Sequence, residues 1–451
     1  MSGAGLCRNV LVAAILGGAL AAFTLRHGIW IGPDGWAYWQ GSVSLLESHH
    51  YRLFFFDEPI EAWPPLYSIY LALWQALCGI SGLTLVLSTV TLVSATSATW
   101  TWLWCRTLAG KGTDARNQVM GLFAAILSAV YWAHQDRSLL SENLRNLILP
   151  FFLGGLCAMW SEHSRPRMRW LATGTGLAGA LLLLTHNGCI AVLAAGLTIL
   201  ALQPGGWPKR LERALLVAII AVIPAVASKL ILHQFGSHPL GLGNGRFTWQ
   251  HYISAAVDYL PGGIFAIRLA HLAWFWAVFL PLSAWLWLGR SAPARSMTFM
   301  RLKFGFALLC VCNMALLFSA VWISDDLTGR YLNFVPCLML MLLLGALVQL
   351  GGRRWCLLSG ALLVLFATDR FVRYEWFNRS VDASAPYERF IRFDLTISHS
   401  YVTGGPEARG GKTLVAPPLY PWLEERLRAR ASGEWPAHLI KGNPEYRNFG
   451  W

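Results

Sequence analysis

The sequence predicts an all-α polytopic membrane protein of about 11–13 transmembrane helices, with interfacial helices in its first external loop and a small C-terminal extramembrane segment. Three observations predict it. Hydrophobic residues make up 55% of the 451 residues and charged residues only 13%, well below the charge of an ordinary soluble domain. The apolar residues fall in runs of spanning length. The basic residues fall mainly in the short loops between those runs.

The first run, 9–26, follows Arg8 and ends Leu25-Arg26-His27-Gly28, with no small-residue cleavage site. It reads as a first, uncleaved span rather than a signal peptide. A polar and aromatic loop, 27–62, comes next. Further apolar runs cover 64–80, 83–105, 118–133, 144–160, 170–185, 188–203, 214–232, 264–288, 304–323, 331–349 and 355–369. From 371 to 451 the chain turns polar and proline-rich and has no run long enough to span. Two regions result: a membrane domain, 1–370, and an external C-terminal segment, 371–451.

Basic clusters orient the spans. Arg165, Arg167 and Arg169 form one; Lys209, Arg210 and Arg213 a second; Arg290, Arg295, Arg301 and Lys303 a third; Arg353 and Arg354 a fourth. Basic loops stay cytoplasmic, which puts the C-terminal segment and the loops at 236–262 and 324–330 outside. Arg8 places the N-terminus in the cytoplasm and loop 27–62 outside. Counting back from the later clusters also places 106–117 inside, and the two counts differ by one crossing. Either 64–80 does not cross fully, or one run hides a hairpin.

The net charge of +13 follows this loop pattern rather than a nucleic-acid-binding patch, and no nucleic acid is expected as a partner. The nine cysteines lie in or beside apolar runs, as small buried hydrophobes do. They give no disulfide framework and no zinc-ligand spacing.

Carboxylates gather on the external side: Asp34, Glu47, Asp57, Glu58 and Glu61 in the first loop, Asp325 and Asp326 beside Arg330 in a late one. The first loop reads Gly32-Pro33-Asp34-Gly35-Trp36-Ala37-Tyr38 and ends Trp63-Pro64-Pro65-Leu66. Ser141-Glu142-Asn143-Leu144 opens a middle span, and Asp326-Leu327-Thr328-Gly329-Arg330-Tyr331 precedes a late one. In this order and at these span ends, the motifs resemble those of the GT-C glycosyltransferases. The nearest branch is that of the protein O-mannosyltransferases and lipid A aminoarabinose transferases.

The resemblance implies a glycosyltransferase that moves a sugar from a polyprenyl-phosphate carrier to a lipid, glycan or protein acceptor on the outer face of a bacterial inner membrane. It implies Asp34 as general base, with Tyr38, Arg52, Trp63, Glu142, Arg330 and Tyr331 on the substrates, and no cofactor. The chemistry is consistent with that. A phosphate leaving group needs a cation, not a proton, and the acceptor needs a base. One carboxylate and one guanidinium suffice, and Arg suits phosphate through its planar fork. The chain departs from the pattern in two places: Gly35 stands where relatives carry a second acid, and Trp63 where many carry Lys.

Plainer readings stand beside these. Asp34 also suits a turn or helix cap, Glu142 and Arg145 a pair at a helix start, and His186-Asn187-Gly188 a tight turn. A transporter or flippase of a lipid-linked glycan is the alternative function. It would set ionisable groups near the middle of the spans, where this sequence has few.

Overall fold

A computed structural model describes residues 3–27, 29–31, 33–53, 58–60, 63–80, 82–107, 115–135, 139–161, 164–201, 206–232, 334–350, 353–381 and 391–393. The expected runs at 264–288 and 304–323 lie outside these residues. So does nearly all of the C-terminal segment.

The described chain is almost entirely helical. Its helices are α1 (Gly3–Thr24), α2 (Pro33–Ser48), α3 (Leu66–Cys78), α4 (Gly82–Thr107), α5 (Ala115–Gln135), α6 (Ser141–Ser161), α7 (Arg165–Thr185), α8 (Cys189–Ala201), α9 (Trp207–Ile231), α10 (Phe334–Leu350) and α11 (Arg353–Val381). Four short strands qualify the all-α expectation. β1 (Ile29–Ile31) pairs in parallel with β4 (Ile391–Phe393), and β2 (Arg52–Leu53) pairs antiparallel with β3 (Glu58–Pro59). They were not legible because none exceeds three residues, too few for an alternating pattern. Helix α11 also runs on to Val381, through the boundary drawn at 370.

Four of the described helices are long and apolar enough to cross a membrane: Gly3–Thr24, Gly82–Thr107, Trp207–Ile231 and, within α11, Arg354–Val372. Polarity across several helices is inverted relative to a water-soluble bundle. α1 buries Asn9, Ala13, Gly17 and Ala21, every fourth residue, while Leu11 and Ile15 are exposed. α4 buries Ser88, Thr89, Thr96, Ser97 and Thr101 alongside Leu92, Trp100 and Leu103, and α9 exposes Leu215, Ile219, Ile223 and Leu230. Small residues let helix backbones approach closely, and Gly17 packs directly on Ser97 of α4.

Pairwise contacts fix the direction of each helix. Asn9 hydrogen-bonds Cys105 while Gly17 meets Ser97, so α1 and α4 are antiparallel. Ser97 donates to the Ser128 carbonyl and Thr101 to that of Ala124, which sets α5 against α4. Trp100 donates to the Asn146 carbonyl and Trp102 meets Phe151, so α6 runs with α4. α7 returns beside α6, and α9 runs with α7 through Arg169–Glu212 and Gly179–Ala221. α11 runs with α5, where Gly360 meets Phe123 and Tyr131 stacks on Phe366.

This arrangement resolves the disagreement of one crossing. The start of α4 lies at the same end of the bundle as the end of α1, so α3 returns to the end it left. Its 13 residues span about 20 Å, short of a roughly 30 Å hydrocarbon core. One end of the bundle therefore holds Arg8, Arg106, Arg167, Arg169, Lys209, Arg210, Arg213 and Arg354. The opposite end holds α2, α3, both strand pairs and the first turns of α4, α6, α8 and α10.

Candidate functional site

At that second end α2 is laid against the start of α6. Gly35 faces the Leu139 carbonyl so closely that a Cβ at this position would collide with backbone. This accounts for the glycine after Asp34: no second acid fits there while α2 stays seated. Asp34 lies in the first turn of α2, one helical turn ahead of Tyr38.

Tyr38 is 2% exposed and links three elements. Its hydroxyl donates to Ser141 Oγ at 3.0 Å. Its ring meets Tyr67 of α3 edge-on at 5.3 Å, a favoured aromatic geometry. Its backbone carbonyl accepts from Ser68 Oγ at 2.8 Å. Tyr51 then ties in the Trp63-Pro64-Pro65 segment, donating to the carbonyls of Trp63 (3.2 Å) and Pro64 (3.4 Å). Burial pushes the Tyr51 phenol above its ordinary pKa, so it remains a donor throughout the physiological range. The Pro-Pro pair thus opens α3 and is also fastened to the segment that follows α2.

Beyond Ser141 lies a layer of buried ionisable groups. Ser141 Oγ donates to Glu142 Oε2 at 3.4 Å. Glu142 Oε1 faces His186 Nε2 at 3.7 Å. His186 occupies the turn between α7 and α8, where its Nδ1 accepts the Gly188 amide at 3.0 Å. One turn after Glu142, Arg145 donates through Nε and Nη2 to Asn146 Oδ1, at 3.3 and 3.1 Å. Its guanidinium lies 5.4 Å from the ring centroid of Phe334, at the start of α10, within cation–π range. Glu142 is 2% and Arg145 1% exposed. Charges so placed are rare unless paired or functional. Glu142 also gains from the first turn of its helix, where the macrodipole favours an anion.

The structure thus joins two of the expected site residues, Tyr38 and Glu142, through Ser141. Trp63 is half-buried and reaches this network through its carbonyl. Arg52 sits in β2 opposite Pro59. Arg330 and Tyr331 lie outside the described residues. Arg145 and His186 were missing from the expected set. The spacing of Glu142 and Arg145, three residues apart on one helix, was the available signal for the first. For His186 there was none, because its partner lies far off in sequence, in the first turn of α6.

The cluster combines an acceptor-only carboxylate, a guanidinium, an imidazole and two hydroxyls at one end of a helical bundle. That set can bind a polar or anionic group and exchange protons with it. Among the described residues, no three His, Cys, Asp or Glu side chains converge as a metal-ligand set. The sequence matches no known protein family and no curated protein.

Proposed function

We propose that the chain is a polytopic membrane glycosyltransferase that passes a sugar from a polyprenyl-phosphate carrier to an acceptor at the outer face of the membrane. The membrane part of the reading is supported by the exposed apolar faces of α1 and α9 and by the excess of basic residues at one end over Arg26, Arg52, Lys229 and Arg370 at the other. Lys and Arg at one end mark the cytoplasmic side, which makes the Tyr38–Glu142 end external. Nucleotide-activated sugars are cytoplasmic, so an external site draws on a lipid-linked donor.

One observation carries the enzymatic part. Motifs from the first loop (Tyr38, Trp63-Pro64-Pro65) and from the start of α6 (Ser141-Glu142) meet in one hydrogen-bonded network. The helix bearing Asp34 is seated on that network. In the proposed reaction the acceptor hydroxyl or amine attacks the anomeric carbon and Asp34 takes its proton. The bond from the sugar to the phosphate breaks, and polyprenyl phosphate leaves. A guanidinium, from Arg330 or the buried Arg145, stabilises the phosphate charge that develops.

The test is transfer of labelled sugar from polyprenyl phosphate by the purified protein in nanodiscs. Asp34→Asn keeps size and polarity but cannot accept a proton. It should lower transfer on the order of 10²- to 10⁴-fold while protein level and donor binding stay near wild type. A wild-type rate in Asp34→Asn removes the base and most of this reading with it.

A further inference from the structure

His186 has no role in the reaction as proposed, yet it is aimed at the site. Its Nδ1 accepts the Gly188 amide, so a neutral ring carries its proton on Nε2, the nitrogen facing Glu142 Oε1. The hydrogen bonds on the other side run the same way. The Tyr38 hydroxyl donates to Ser141, and Ser141 donates to Glu142 Oε2. Both carboxylate oxygens therefore face donors, and Glu142 is the common acceptor of a line that starts at α2 on one side and at the α7–α8 turn on the other. A protonated Glu142 would have to turn one O–H toward a group that already presents a hydrogen.

We infer that His186 is a positioning residue: held by the Gly188 amide, its Nε2–H keeps Glu142 ionised and turned toward Ser141, and thereby fixes Tyr38 and the helix that carries Asp34. Among the described residues, ionisable groups around Glu142 include Arg145 on the same helix, the Cys189 thiol at the start of α8, which feels both of those charges, and Tyr38 through Ser141. Arg145 also favours the anion. An ionised carboxylate at 2% exposure needs such donors, since burial otherwise favours the neutral acid.

The experiment uses the full chain in nanodiscs, with His186→Ala, His186→Gln and Glu142→Gln. Glutamine can offer an N–H near the Nε2 position; alanine cannot. The first readout is the infrared carboxylic-acid band of Glu142, identified by its loss when Glu142→Gln is added to the same background, His186→Ala included. It should be absent at neutral pH in wild type and His186→Gln, and present in His186→Ala. The second readout rests on the glycosyltransferase reading. His186→Ala should lower kcat on the order of 10- to 100-fold with little change in donor KM, the cost of a misplaced group, and His186→Gln should recover most of it. A Glu142 acid band in wild type at neutral pH overturns the inference. So does a His186→Ala protein without the band, or a His186→Gln protein as impaired as His186→Ala. If His186→Ala does not fold, the wild-type and His186→Gln spectra decide. If wild type transfers no sugar, the enzymatic reading fails while the infrared comparison still judges His186.

Discussion

The two ends of the bundle differ in how deeply their charges are held. At one end Arg8, Arg106, Arg167, Arg169 and Lys209 are exposed, and the Arg169–Glu212 pair has side chains 63% and 45% exposed. At the other, Arg26 and Glu47 are exposed as well, but Glu142 and Arg145 are almost fully buried and contact other protein groups. Exposed charges contribute little to stability because water already solvates them. Buried ones depend on their partners, and losing one partner strands the other. One end is built for orientation and the other for a specific arrangement of groups, so equal substitutions should have very unequal effects.

The largest effect should come from Arg145→Ala. It removes a buried guanidinium that Asn146 accepts from, one turn from the buried Glu142, and should cost about 3–5 kcal/mol, read as loss of thermal stability in detergent. Gly35→Ala tests the seating of α2. Its methyl meets the Leu139 carbonyl, and the displacement should cost about 1–3 kcal/mol, with transfer falling along with the melting temperature. Tyr38→Phe removes one hydrogen bond to Ser141 and should cost about 0.5–1.5 kcal/mol, visible in the same melts. Arg169→Ala breaks an exposed pair and should change stability by less than about 1 kcal/mol. If Arg169→Ala is as damaging as Arg145→Ala, the contrast between the ends collapses. The contrast sharpens if the ends label from opposite sides of a sealed vesicle. Cysteines at Glu47 and Arg167 provide this test, in a background lacking the exposed Cys7 and Cys78. An outside-only reagent should modify position 47 and spare position 167.

The helices were legible because each apolar run is continuous, and most described bounds fall within a few residues of the runs. Hydropathy alone could not tell that 64–80 returns to its own side. That depends on α3 being a helix of only 13 residues and on α1 and α4 lying antiparallel. The site was legible in part. Tyr38 and Ser141-Glu142 stood out as span-end motifs, and Gly35 as a departure whose cause lay in the distant Leu139 carbonyl. Arg145 read as an ordinary helix-start partner because sequence does not reveal burial. His186 read as a turn residue, which it is; its second role exists only because α6 and α7 bring their ends together.

The parallel pairing of Ile29–Ile31 with Ile391–Phe393 constrains how the molecule is made. During synthesis the strand that leads into α2 has no β4 partner until the chain has been extended past Phe393. Through that interval α2 is seated without β4, by contacts that include α3, β2 and the start of α6. Completion of this end is therefore a late event, timed by the ribosome. A nascent chain halted before Ile391 would carry every residue of the Tyr38–Glu142 line and still lack the last clasp on the segment in front of it.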